Sequence, residues 1–229
     1  MWLLLFSTKT LGHNNKYQKN EKIFGRFKNF YYLCSMKKLI TIILIICSVS
    51  ASFAQTAEEI EMVTLINQVR TNPESFIPAV EAYIASAKKL KALGAKTTNK
   101  STSKSVDIVA EGEALIAFLK SAKPVKALKL STFLYANTKS HAQYLDSTKQ
   151  LSHTGPNGQT LVDRTKNVSK TAGENCGTGK TATDVMVQLL IDLSSPNKGH
   201  RANIFNAEYT QVSVGKSGNT WVQDFIVTK

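Results

Sequence analysis

Three side chains able to hold a cation or move a proton stand in the polar middle of the 229-residue chain. Leu151-Ser152-His153-Thr154-Gly155-Pro156-Asn157-Gly158 places His153 on a turn rather than on an apolar helix face. Ala172-Gly173-Glu174-Asn175-Cys176 places Glu174 directly after a glycine, and Lys198-Gly199-His200-Arg201-Ala202-Asn203 supplies a second loop histidine. Two imidazoles and a carboxylate from three loops can converge on one Zn²⁺-like ion and leave a position open for water. No two of them share the i, i+4 spacing of a helix face. Spacing alone therefore does not make a metal site, and the fold has to assemble it.

The neighbouring residues suggest other chemistry, most of which fails on physical grounds. A catalytic thiol needs a base that holds it as thiolate, and Cys176 reads instead as a small buried hydrophobe. Ser152 and Ser195 lie near histidines in sequence, but adjacent residues on extended chain point apart, which argues against a serine triad. His141, in mid-helix among apolar neighbours, reads as a satisfied histidine. Arg201 and Asn203 read as residues that fix their loop by hydrogen bonds, and Asn175 as one that pins nearby backbone.

The elements that must position these groups can be read from periodicity. Thr56 with Glu59 three residues on is a capping box, and Ile60, Val63, Ile66 or Asn67, and Arg70 form one helical stripe that Asn72-Pro73 stops. Helical patterns follow over Ile77 to about Leu93, Val106–Ala122, from Ser131 through Leu145, and Val185–Asp192 behind Thr183-Asp184. The Lys/Thr/Ser-rich stretch 94–105 reads as a solvated loop. Leu151–Gly179 is too poor in periodic apolar residues for a long element. The C-terminus changes period: Gln211–Gly215 alternates, Ser217-Gly218-Asn219 turns, and Thr220–Val227 alternates again as a β-hairpin. Trp221 and Phe225 are expected in the core, with Gln223 facing the opposite layer and Tyr144 and Tyr209 as packing residues. Helices first and a short antiparallel sheet last make an α+β domain.

The series "SHTGPNGQTLVDR", "AGENC", "GHRANIFN" and "WVQDF" resembles the CAP superfamily of cysteine-rich secretory, antigen-five and pathogenesis-related proteins, in its single-domain bacterial extracellular form. Asn67–Pro73 and Ser140-His141-Ala142 fit the same pattern, so the likeness covers about 57–228. The resemblance implies a three-layer α-β-α sandwich around a cleft where two histidines and two acids can hold a divalent cation. By motif those are His153, His200 and Glu174. The second acid does not transfer cleanly: the helix before His200 reads Gln188-Leu189-Leu190-Ile191-Asp192-Leu193, and Asp192 is its one candidate. A three-ligand site binds more weakly than a four-ligand one. Zn²⁺ or another divalent cation is the expected cofactor, with no organic one.

Charge and cysteine usage bound the remaining readings. The net charge of +13 suggests nucleic acid until it is divided along the chain. Residues 1–35 hold six Lys/Arg against one Asp/Glu, and Lys37 and Lys38 add two more, leaving 21 against 15 from residue 55 onward. That modest excess, without interleaved aromatics, does not argue for specific nucleic-acid binding. Met36-Lys37-Lys38 followed by the apolar run Leu39–Val49 and Ser52-Phe53-Ala54 is a secretory signal over 36–54, cleaved before Gln55. The run is about half the ~20 residues of a membrane span, so no permanent span is expected. Residues 1–35 read as a non-native N-terminal extension and 55–229 as the single mature domain, secreted or periplasmic. It retains Cys176 alone, so no intramolecular disulfide staples it. The preferred function is a binding module for a small apolar molecule, a polysaccharide or a protein. The alternatives are a metal-dependent peptide or ester hydrolase with Glu174 as base, and a structural envelope protein.

Overall fold

The computed structural model describes residues 54–93, 107–193 and 197–228. The 1–35 extension, the export signal as far as Phe53, the 94–105 loop and Ser195 lie outside the described residues. From Gln55 onward the chain forms one compact unit. Its helices are α1 (Ala57–Thr71), α2 (Ile77–Ala92), α3 (Ile108–Ser121), α4 (Thr132–Thr148), α5 (Leu161–Thr165), α6 (Ala182–Ile191) and α7 (Gly199–Phe205). Its strands are β1 (Lys129–Leu130), β2 (Ala172–Thr178), β3 (Gln211–Ser217) and β4 (Thr220–Ile226).

The expected hairpin is β3 and β4, turning at Gly218 with φ +52°. It forms the centre of a four-stranded sheet of order β1-β3-β4-β2, antiparallel apart from the parallel β1–β3 pair. β4 is buried along its whole length, which requires a layer on each face of the sheet. On one face Met62, Ile66 and Val69 of α1 and Val185 and Leu189 of α6 pack with Trp221 and Phe225, and Val80, Leu115 and Leu119 extend that core through α2 and α3. On the other face α4 sets Ala142 and Leu145 against Cys176 and Val222. α4 lies close on β3 because Gly215 has no side chain; a Cβ there would stand 2.7 Å from the Thr138 carbonyl oxygen. The architecture is the expected α-β-α sandwich. Among the described residues, no helix is long and apolar enough to cross a membrane.

α1 begins as expected: Thr56 N–H donates to Glu59 Oε2 (2.8 Å) and Glu59 N–H to Thr56 Oγ1 (3.3 Å). Four details differ from the sequence reading. The inward stripe of α1 carries Glu59 and Met62, while Ile60 is half exposed, because the buried face includes a carboxylate that apolar counting skips. The polar stretch before Gly179 contains strand β2, whose alternation is hidden because both its faces are covered. His200 stands in the first turn of α7, not on a loop. Gln223 shares a face with Trp221 and Phe225, since residues two apart on a strand point the same way; it donates to Met62 Sδ at 3.1 Å.

Candidate functional site

Edge strand β2 gathers the chemistry, with successive residues serving opposite faces. Glu174 points toward α4, and Asn175 points toward α7. Asn203 N–H donors hold both, reaching the Glu174 carbonyl (3.2 Å) and Asn175 Oδ1 (2.9 Å). Asn175 Nδ2 in turn donates to the His200 carbonyl (3.2 Å) and to Gln223 Oε1 (3.0 Å). Asn175 and Asn203 thus lock the backbone, as expected of them.

Glu174 is the centre of a buried polar cluster. Its Oε1 accepts from His153 Nδ1 at 2.8 Å, and Oε2 is bound by Arg164 Nη2 and lies 3.5 Å from His141 Nε2. Arg164 sits on α5, capped by Thr160 and Asp163, and its Nη1 also donates to the carbonyls of His153 (3.4 Å) and Gln159 (3.3 Å). One arginine therefore fixes both members of the His153–Glu174 pair. Asp224 is the cross-strand partner of Glu174, fully buried, and accepts from Thr138 Oγ1 at 2.7 Å.

Electrostatics follow from this crowding. Burial raises the Glu174 carboxyl, but the His153 hydrogen bond and the Arg164 and His141 charges outweigh it and hold it below its ordinary value. Asp224 is pushed well above its ordinary value by burial and by the Glu174 charge. The hydrogen bond to Glu174 raises His153, whereas burial lowers His141. The Cys176 thiol is driven well up by burial and the two acids, which fits the small buried hydrophobe expected of it.

His200 belongs to a second pair. Asp192, in the left-handed conformation that ends α6, takes His200 Nδ1 on Oδ1 (2.9 Å) and His200 N–H on Oδ2 (2.8 Å), so it also caps α7. Arg201 donates from Nε to the Leu190 carbonyl (2.6 Å) and so holds the end of α6. At the other end of α7, buried Arg70 donates to the carbonyls of Ile204 (2.5 Å) and Asn206 (3.0 Å). A seven-residue helix is marginal alone, and these two charged caps hold it in place.

The structure thus joins His153 to Glu174 and His200 to Asp192 as two separate pairs; among the described residues the donors close enough to share one ion are His141, Glu174 and Cys176, not His153, Glu174 and His200. It gives Asp192 the role of partner to His200. Ser152 Oγ accepts from Thr154 N–H, a local turn bond. His141 is more than a satisfied helix residue: its ligating atom and those of Glu174 and Cys176 all lie within 4.8 Å of one another, so this buried group could hold a metal ion. Arg164, His141 and Asp224 are the site residues that periodicity missed. The available signal was Arg164 inside the VDR motif and Asp224 two residues from Val222 on an alternating strand.

A model of the family described as CAP, the cysteine-rich secretory protein family, matches residues 63–228. The protein YkwD of Bacillus subtilis, itself uncharacterised, is 29% identical over 107 residues, covering 44% of this chain. The match spans 40% of YkwD's length. An extracellular SCP-domain protein of Bacillus anthracis is similar at a TM-score of 0.40 and 22% identity, over 50% of this chain and 38% of that one. An outer surface protein of Borrelia burgdorferi is similar at 0.40 and 20%, over 54% of this chain and 97% of that one.

Proposed function

The chain belongs to the cysteine-rich secretory protein (CAP) family, and from that premise we propose that it is an exported binding domain whose cleft holds a divalent cation on His153 and His200. The observation that carries this reading is the matched state of the two imidazoles. Each donates its Nδ1 proton to a carboxylate, Glu174 or Asp192, which leaves Nε2 as the free lone pair. Carboxylate-oriented imidazoles presenting one nitrogen are the pattern of Zn²⁺ ligands. Glu174, expected as a third ligand, enters this reading as the group that orients His153. A bound cation would polarise a water or a carbonyl on a partner. Export is supported by the family and by the signal pattern over 36–54.

The hydrolytic alternative needs Glu174 as a free base. Both its oxygens are engaged, by His153 and by Arg164, so binding is the better-supported activity. A surface hollow of about 380 Å³ beside the His153 loop is lined by Asp146, Lys149, Gln150, Asn219 and Thr220 with Leu145 and Leu151. Its mixed lining offers hydrogen-bonding groups and the apolar Leu145 and Leu151 together, a combination that the hydroxyl edges and ring faces of a polysaccharide can use. Equilibrium dialysis against Zn²⁺ followed by polysaccharide pull-down tests the reading. Metal uptake with metal-dependent retention is expected, and neither metal uptake nor retention would overturn it.

A further inference from the structure

Behind the cleft, on the α4 side of the sheet, a second set of donors closes on one point. Cys176 follows Glu174 by two residues on β2 and shares its face, and His141 meets them from α4. All three residues are at most 7% exposed. The Ser152 carbonyl completes the group, 3.0 Å from His141 Nε2 and 3.8 Å from Cys176 Sγ, while Glu174 Oε2 is 3.5 Å from the same Nε2. Donors bound to one tetrahedral Zn²⁺ at ordinary bond lengths stand about 3 to 4 Å apart. These three separations fall in that range, and the His141, Glu174 and Cys176 ligand atoms all lie within 4.8 Å of one another.

We propose that His141 Nε2, Glu174 Oε2, Cys176 Sγ and the Ser152 carbonyl form a closed structural site for a borderline-to-soft divalent cation, separate from the His153–His200 cleft. The two sites share only Glu174, which offers Oε1 to His153 and Oε2 inward. A nitrogen, sulfur and oxygen set selects Zn²⁺ or Co²⁺ over Mg²⁺ and Ca²⁺. Arg164 also holds Oε2, so that oxygen would be shared between the guanidinium and the cation. Binding at Nε2 puts the ring proton on Nδ1, which has no partner among the described residues, while the acceptors near Nε2 become ligands themselves. On binding, the thiol proton leaves to solvent and the ring proton shifts from Nε2 to Nδ1. Burial of every side chain leaves no open position for substrate, so the role is to pin α4 and the His153 loop to β2.

The test is a Co²⁺ titration of the full chain carrying Cys34→Ser and Cys47→Ser, so that Cys176 is its single thiol. The expected spectrum has a thiolate-to-cobalt charge-transfer band in the near ultraviolet with intense tetrahedral visible bands. The band should survive His200→Ala and weaken at least about tenfold in apparent affinity with His141→Gln, whose apo circular dichroism is recorded alongside. Cobalt bands that lack the sulfur transition and vanish with His200→Ala would overturn this site while leaving the cleft reading standing. A spectrum with no bound-cobalt bands at all would overturn it as well. A sulfur band indifferent to His200→Ala supports it whether or not the cleft loads.

Discussion

Two buried carboxylates, Glu59 and Glu174, are built alike and used differently. Each is almost fully buried, each is gripped by a cation, and each sits where a helix meets the sheet. Glu59 accepts from Lys139 Nζ (2.8 Å), Tyr135 Oη (2.9 Å) and the Lys216 and Thr56 N–H groups (2.7 and 2.8 Å), tying α1 to α4 and β3. Among those partners Tyr135 is pushed up to about 12 by burial and by Glu59 itself. Glu174 instead faces two imidazoles, a thiol and a second acid. Its partner His153 is well exposed, with 62% of its side chain open to solvent. The first carboxylate closes a structural joint. The second connects a buried cluster to the surface through His153.

The largest expected effect comes from truncating each carboxylate. Glu174→Ala strands Arg164, whose side chain is 3% exposed, and should cost about 3–5 kcal/mol. Glu59→Ala strands Lys139, which is 25% exposed and can turn to water, and should cost about 1–3 kcal/mol. Urea denaturation at neutral pH measures both, and a reversed order would break the comparison. Next comes pH. Both acids are held below their ordinary values, so the stability they add is present above the unfolded value near ~4.3 and is lost as pH falls through the lowered ones.

Asp224 has the opposite sign. Its raised carboxyl contributes full stability below about pH 3.9 and loses it as pH rises toward the folded value. Asp224→Asn should therefore gain on the wild type between acid and neutral pH, with a smaller span than the first pair. Equal denaturation midpoints at both pH values would remove Asp224 from the account. A smaller effect is expected at His153. Its hydrogen bond to Glu174 raises it, so that contribution is present below about 6.5 and lost as pH rises through the raised value. Glu174→Gln should return the His153 NMR titration toward ~6.5, whereas Glu59→Gln should leave it unmoved. The smallest is Asp192→Asn, which weakens the α7 cap and the His200 bond by about 1 kcal/mol.

The local half of this structure was legible in the sequence. Thr56 and Glu59 are three residues apart, so their capping box could be read directly, and the β3–β4 hairpin announced itself by period. The motif order singled out His153, Glu174 and His200, which the structure pairs as His153 with Glu174 and His200 with Asp192. What escaped were contacts between residues far apart in sequence. β2 sets Gly173, Asn175 and Gly177 against one layer, where Asn203, Tyr209 and Val185 crowd them, and Glu174 against the other, so no apolar alternation survives. Glu59 finds Tyr135 and Lys139 more than seventy residues away. Arg164 and Asp224 reach Glu174 across α5 and β4, where composition leaves no trace of the meeting.

The central claim is that the cleft presents two oriented imidazoles to a cation, and calorimetric titration with Zn²⁺ tests it most directly. The wild type should bind Zn²⁺, and binding should weaken as pH drops through the raised His153 value, where that imidazole protonates. His153→Ala and His200→Ala should each abolish the cleft isotherm, and the double variant should lose no more than either alone, because ligands act as a unit. A wild type that takes up no divalent cation at neutral pH, or variants that bind undiminished, would contradict the account.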